Sequence, residues 1–151
     1  YPMYCGGSTS ITRDCDRRYV NEQIEDCTHI DVLLRDPAER YVAGVNEYCE
    51  QHGKDIKETC RLIEHGELAN RHFAPQYVWL LHLSKFYKGD ITLRPFDYIK
   101  EVTDLHVTGA GRRDRVPLNE SFIQVDQQLM KYRGQTVPLV DIIKRYKNVL
   151  S

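Results

Sequence analysis

Four short segments at the start of the chain constrain its fold more than any other feature: an apolar stretch, a glycine-rich turn, a helical stretch and a second apolar stretch. They read YPMY, CGG, STSITRDCDRRYVNEQIED and HIDVLLR, and all lie within the first 35 residues. Hydroxyl residues are typical of a helix N-terminus, and short apolar runs are typical of strands. A helix that connects two strands over so few residues usually makes them parallel, with a right-handed crossover. We therefore predict an α/β domain with a parallel sheet.

The remainder of the chain adds mainly helices. With 151 residues, of which 41% are hydrophobic and 28% charged, the chain can bury one sizeable core. No repeat, low-complexity tract or long linker divides it, so we expect a single domain over residues 1–151. The segment 75–87 fits either a buried helix or a strand. The other predicted elements are helices at 36–53, 55–66, 97–104, 121–134 and 137–150, strands at 91–96 and 105–108, and an irregular loop at 109–119.

Charge, hydropathy and cysteine spacing argue against several classes of protein. A net charge of −1 disfavours nucleic-acid binding driven by bulk charge. No apolar run approaches the roughly 18 to 20 residues of a membrane helix, and no basic start followed by an apolar segment suggests a secretion signal. The five cysteines form no CxxC pair and have no histidines at metal-ligand spacing. Their odd number favours free thiols in a reducing cytoplasm, and we expect no metal, no nucleic-acid partner and no membrane association.

The glycine-rich turn predicts an anion-binding site. A glycine turn between a strand and a helix exposes backbone N–H groups at the positive end of the helix dipole. Gly6 and Gly7 form this turn, and Ser8, Thr9 and Ser10 add hydroxyl donors. The loop does not match the GxxxxGK[ST] pattern, so a simple helix N-cap after a tight turn is the alternative.

A second motif, VLLRDPAERYVAGVNEY, places Arg35 at the end of the second predicted strand. Ligands of open parallel sheets bind at the carboxyl ends of the strands, where Arg35 would lie next to the glycine loop. We therefore expect Arg35 to contact a phosphate. In the alternative interpretation, Asp36 and Pro37 only cap the following helix and Arg40 makes a surface ion pair.

Together these segments resemble a known family. PMYCGGSTSI resembles the loop with which sulfotransferases bind the 5′-phosphosulfate of 3′-phosphoadenosine 5′-phosphosulfate (PAPS). LLRDPAERYVAGV is similar to the RDPxxR segment that contacts the 3′-phosphate. NRHFAPQYVWLL resembles the H-(F/W)-x-PQ segment of the carbohydrate-type branch, and RVPLNESFIQVDQQLMKY and IIKRYKNVLS resemble the C-terminal helices of short marine bacterial and phage sulfotransferase-like proteins. The resemblance spans nearly the whole chain and depends on the order and spacing of the segments.

The resemblance implies a P-loop-like fold, with a parallel β-sheet core flanked by helices and a helical C-terminal part. In this fold residues 7–10 hold the 5′-phosphosulfate of the donor PAPS, and Arg35 holds its 3′-phosphate. Arg112 and Arg113 fall where family members often bring a basic loop over the nucleotide, and a solvated charged loop is the alternative. The implied activity is transfer of a sulfuryl group to a hydroxyl of a carbohydrate or small metabolite.

Two positions depart from the family pattern. Cys5 stands where the family has a lysine that neutralises charge on the leaving phosphate, and Ala43 stands where it has a serine that meets the 3′-phosphate. Losing a preorganised cation at a centre of developing charge costs about 3 kcal/mol, which is roughly a hundredfold in rate. A catalytically silent module that binds a nucleotide or a sulfated ligand is therefore the alternative function. A P-loop kinase fits less well, because the GK[ST] signature and a plausible Walker-B aspartate are missing.

Sulfuryl transfer also needs a base to deprotonate the acceptor hydroxyl, and histidine suits this task near neutral pH. His72, in NRHFAPQ, is our candidate, and a structural histidine that hydrogen-bonds a loop is the alternative. We expect Phe73, Pro75, Gln76 and Trp79 to support the core or the loop rather than to bind a ligand.

Overall fold

A computed structural model describes residues 24–98 and 116–150 of the chain. The glycine loop at residues 5–10, the predicted strands at residues 1–4 and 105–108, and the pair Arg112 and Arg113 lie outside these ranges. Their predicted roles therefore stay predictions. The structure positions the other predicted site residues, Arg35, Ala43 and His72.

Local sequence signals account for where several of the helices begin and end. Five α-helices have both ends within the described residues: α1 (Pro37–His52), α2 (Ile56–Glu64), α3 (Gln76–Leu83), α4 (Glu120–Leu129) and α5 (Leu139–Leu150). The Asp36 side chain accepts a hydrogen bond from the Glu39 N–H at 3.0 Å before α1, and Gly53 ends this helix with a left-handed φ of 60°. The predicted cap at Asp36 and the predicted stop at Gly53 are thus confirmed. The segment 75–87, for which the sequence allowed a helix or a strand, contains α3.

In the part of the chain that the structure describes, three strands form one mixed sheet in the order β1, β2, β3. They are β1 (Ile30–Leu34), β2 (Asp90–Pro95) and β3 (Thr136–Pro138). β1 and β2 are parallel, with Ile30 opposite Ile91, and the connection between them contains α1, α2 and α3. β2 and β3 are antiparallel. The expectation of an α/β architecture is confirmed, with a sheet of mixed rather than purely parallel strands.

Strand β3 corrects the prediction of a single helix over residues 137–150. Val137 pairs with Ile91 and Thr136 pairs with Thr92, and the hydroxyl oxygens of the two threonines are 2.7 Å apart. Helix α5 begins only at Leu139. The apolar residues of this segment fit a helical period, but pairing with the hydrogen-bonding edge of β2 favours an extended start.

The segment 73–77, which directly follows His72, has its two ends in two different clusters of buried apolar side chains. Phe73 belongs to the cluster that α1 and α2 help to form. Tyr77, four residues later, belongs to the cluster that packs on the sheet, and its ring stacks on Tyr146 with 4.4 Å between the ring centroids. Because both ends are buried, the residues between them are held in one position.

Candidate functional site

Arg35 lies immediately after β1, at the carboxyl end of the parallel strand pair. Its main chain is bound by one fully buried side chain, that of Gln76 at the start of α3. The Arg35 N–H donates to Gln76 Oε1 at 2.9 Å, and Gln76 Nε2 donates to the Arg35 carbonyl oxygen at 2.9 Å. Since both main-chain groups of Arg35 are bound by one buried partner, the direction in which its side chain leaves the sheet is set.

The Arg35 side chain stays near the ends of both parallel strands. Its guanidinium carbon lies 5.2 Å from the centre of the Phe96 ring, and Phe96 directly follows β2. Its Nε atom is 4.0 Å from a carboxylate oxygen of Glu39, in the first turn of α1. The Arg35 side chain is 18% exposed, whereas that of Glu39 is 69% exposed. An ion pair this long with an exposed partner is worth little.

A buried carboxylate from α4 completes the N-terminus of α3. Pro75, which precedes α3, makes no capping hydrogen bond. Asp126 instead accepts hydrogen bonds from the Gln76 N–H at 2.7 Å and from the Tyr77 N–H at 3.1 Å. Burial raises the pKa of the Asp126 carboxyl group, against the lowering effect of these donors and of the Arg40 charge. Asp126 therefore holds in place the helix whose first residue binds Arg35.

Arg40 is buried, which corrects the alternative interpretation of a surface ion pair at this residue. It is 1% exposed, and its Nη1 donates a hydrogen bond to the Ala74 carbonyl oxygen. A buried charged group is tolerated where its donors meet acceptors. This contact joins α1, which starts beside Arg35, to the segment that carries His72.

Gly44 brings α1 against the main chain of His72. A Cβ atom on Gly44 would lie 2.1 Å from the His72 carbonyl oxygen, which is far inside any allowed contact. The helix therefore approaches this segment at a point where only glycine fits. Ala43, beside Gly44, is fully buried in the second turn of α1. That Ala43 stands at the position of the family's serine beside the 3′-phosphate stays a prediction.

His72 is partly buried in the turn before α3. Its Nδ1 lies 2.8 Å from Asn70 Oδ1, which also accepts a hydrogen bond from the His72 main-chain N–H at 2.9 Å. Because this oxygen is an acceptor, we assign the proton of the neutral ring to Nδ1 and the lone pair to Nε2. Burial lowers the pKa of His72 below its ordinary value of 6.5, and the Glu47 carboxylate opposes the shift. A neutral imidazole in one tautomer has the form that a general base needs.

A cavity of about 580 Å³ opens beside this turn. Its wall consists of residues 69–71, 74, 75, 78, 79 and 82. They belong to residues 69–75, which we call the His72 loop, and to α3. Asn70 belongs to the wall and is also the hydrogen-bond partner of His72. Trp79 packs against the sheet cluster, as expected of a core support, and it lines the cavity as well. The run YVWLLHL is apolar along almost its whole length, so the sequence could not indicate which of its residues face a cavity.

Gln76, Asp126 and Arg40 connect the predicted site residues that the structure describes. Gln76 was expected to be a support, and its hydrogen bonds to Arg35 confirm that expectation. No role was predicted for Asp126, and Arg40 was expected at the surface only in the alternative interpretation of its motif. Neither residue carries a local signal of burial, since both occur in helices that also carry exposed charged residues.

Comparisons of the chain with models of protein families, with characterised proteins and with solved structures found no match. Within residues 24–98 and 116–150, no group of three or more His, Cys, Asp or Glu side chains is placed to hold a metal ion. In the same part of the chain, no helix combines the length and the apolar character needed to cross a bilayer.

Proposed function

We propose that the protein is a small sulfotransferase-like domain that transfers a sulfuryl group from PAPS to a hydroxyl of a carbohydrate or small metabolite. The observation that carries this proposal is a buried connection between three segments on which the resemblance depends. Arg35 of the first segment is bonded to Gln76 of the second, and Gln76 is bonded to Asp126 of the third. A site assembled from distant parts of a chain requires such a rigid support.

In this proposal Arg35 contacts the 3′-phosphate of the nucleotide. It follows a parallel strand, at the sheet edge where α/β proteins bind their ligands. A planar guanidinium matches a phosphate at two oxygens, and partial burial strengthens the contact. The proposal includes the expected first strand, adjacent and parallel to β1, so that residues 7–10 reach the 5′-phosphosulfate. The P-loop-like arrangement is thus part of the proposal.

His72 is the proposed general base. As the acceptor oxygen forms its bond to sulfur, the hydroxyl proton passes to Nε2 of His72, and the bond between sulfur and the phosphate oxygen breaks. Adenosine 3′,5′-bisphosphate is released, and the imidazolium then returns its proton to solvent. The hydrogen bond between Nδ1 and Asn70 orients the ring and stabilises its charged form.

Cys5 is the residue that distinguishes the proposed enzyme from the alternative function, a catalytically silent binding module. A thiol at the position of the family's lysine supplies no positive charge to the leaving phosphate, so an active enzyme needs a cation from elsewhere, such as Arg112. A silent module would bind adenosine 3′,5′-bisphosphate and release none from PAPS with any hydroxyl acceptor. Binding and turnover therefore have to be measured separately.

Arg35→Ala is expected to weaken binding of adenosine 3′,5′-bisphosphate by about 10- to 150-fold, the equivalent of a charge-assisted hydrogen bond. Binding of adenosine 5′-monophosphate, which lacks the 3′-phosphate, should change little. Isothermal titration calorimetry with both nucleotides measures the two effects.

Arg145→Ala is a matched control for this experiment. The Arg145 guanidinium lies 5.2 Å from the centre of the Tyr132 ring, as that of Arg35 does from Phe96, but Arg145 belongs to α5. Its removal should leave both affinities unchanged. Equal losses for the two nucleotides in Arg35→Ala would assign Arg35 to the fold. A wild-type protein that binds neither nucleotide would contradict the proposal.

The rate of sulfuryl transfer should rise with pH along an acidic limb whose midpoint lies below 6.5. Only the neutral imidazole accepts a proton, and the lowered pKa of His72 keeps the ring neutral at a lower pH than an ordinary histidine. His72→Gln should remove the limb and lower the rate by about 100-fold or more. The measurement is release of adenosine 3′,5′-bisphosphate from PAPS with a panel of hydroxyl acceptors.

His65→Gln serves as the control for the pH profile. This exposed histidine directly follows α2, and its Nδ1 lies 2.8 Å from the Arg61 carbonyl oxygen in that helix. The rate of His65→Gln should depend on pH in the same way as the rate of the wild type. A limb that persists in His72→Gln would exclude His72 as the base.

A further inference from the structure

The cavity between the His72 loop and α3 has a mainly apolar wall. Pro75, Val78 and Trp79 supply apolar surface, and the polar side chains of the wall are those of Asn70, Arg71 and His82. The volume of about 580 Å³ falls within the range of small-molecule sites, about 300 to 1,000 Å³. The cavity is therefore large enough for an organic ligand rather than for an ion alone.

The wall fits a ligand with one hydroxyl group better than one with many. A sugar would lose water from most of its hydroxyl groups and would meet few hydrogen-bond partners here, and a buried hydroxyl without a partner is unfavourable. An apolar ring system would instead lie against the Trp79 indole and bury apolar surface. We infer that the cavity binds an apolar alcohol built on a ring system, with its hydroxyl toward Asn70.

This ligand would be the acceptor of sulfuryl transfer, a role that rests on the proposed function. Asn70 connects the cavity with the proposed base, since it belongs to the wall and its Oδ1 lies 2.8 Å from His72 Nδ1. Ala74, also in the wall, is held through its carbonyl oxygen by Arg40. A ligand hydroxyl bonded to Asn70 would thus contact the residue that orients the His72 ring. The inference narrows the acceptor to apolar alcohols and away from carbohydrates.

Trp79 gives a direct test, because it is the one tryptophan in the chain. Borneol, a bicyclic alcohol that does not absorb near tryptophan, should cause a saturable blue shift of Trp79 emission as it excludes water from the indole. Methyl β-glucoside, a ligand with several hydroxyl groups, should cause none. Both titrations use the full chain without nucleotide.

Val78→Asp should weaken borneol binding by about tenfold or more, because an unpaired carboxylate would enter the apolar wall. Leu81→Asp is the matched control. Leu81 lies on the same helix at 42% exposure, close to the 46% of Val78, but it is not part of the wall. Ala74→Leu narrows the cavity without adding charge and should also weaken binding. Circular dichroism verifies that each variant keeps the fold of the wild type.

Three results would overturn the inference: no saturable shift with borneol, equal losses in Val78→Asp and Leu81→Asp, or saturation by methyl β-glucoside alone. A parallel titration with adenosine 3′,5′-bisphosphate tests the proposed function separately from the inference about the cavity. Nucleotide binding without borneol binding overturns the inference alone. Borneol binding without nucleotide binding supports the ligand class of the cavity and overturns its role as an acceptor site.

Discussion

Replacing Asp126 with alanine is expected to lower the free energy of unfolding by about 2 to 6 kcal/mol. The substitution removes the acceptor for the N–H groups of Gln76 and Tyr77, which the Asp126 carboxylate binds at 2.7 and 3.1 Å. A buried donor left without an acceptor costs about 1 to 3 kcal/mol, and two are affected here. The positive charge of Arg40, which favours the ionised carboxylate, loses a partner as well. Urea denaturation of the two proteins measures the difference.

Asp55→Ala is the control for this prediction because Asp55 also caps the N-terminus of a helix, but at the surface. Its carboxylate accepts a hydrogen bond from the Glu58 N–H at 3.0 Å at the start of α2, and it is exposed. Loss of such a cap costs about 1 kcal/mol, since water replaces the missing acceptor. If Asp126→Ala cost no more than this, burial would not be what makes the Asp126 contacts important. Asp126→Ala should also weaken adenosine 3′,5′-bisphosphate binding, because Asp126 holds Gln76 and Gln76 positions Arg35.

Gly44→Ala should destabilise the protein by about 3 kcal/mol, at the upper end of the usual cost of overpacking a core. The added methyl group would lie 2.1 Å from the His72 carbonyl oxygen, 2.7 Å from its carbonyl carbon and 2.9 Å from the Phe73 Cα. All three are main-chain atoms, so a change of side-chain rotamer cannot relieve the overlap. Either α1 or the His72 loop has to move. Thermal and urea unfolding measure the cost, and turnover should fall because the proposed base is displaced.

Gly53→Ala separates this steric effect from the ordinary cost of replacing a glycine. Gly53 ends the same helix with a φ of 60°, and a Cβ atom there would meet nothing within 4 Å. Its replacement should cost only the strain of a left-handed alanine, about 1 to 2 kcal/mol. Should Gly44→Ala prove as stable as the wild type, the close approach of α1 to the His72 loop would be wrong.

The candidate site could be predicted only in part. The motif that places Arg35 after a strand and before an Asp-Pro helix start is local, and the structure has both elements in that order. The burial of Arg40 and Asp126 was missed because charged residues in helices with a polar face are normally exposed. Strand β3 was missed for a related reason: three residues carry too little pattern to reveal a partner.

The sequence by itself determined the features that depend on residues a few positions apart. The cap at Asp36, the helix stop at Gly53 and the apolar strand that ends before Arg35 are set by side chains and backbone preferences within one or two turns. Only the tertiary structure decided which polar groups meet in the interior. Gln76 binds Arg35 across 41 residues and Asp126 across 50. Packing of α3 in the sheet cluster, and of α4 against α3, closes those distances. Such contacts form only when distant surfaces are buried together, so they leave no local trace in the chain.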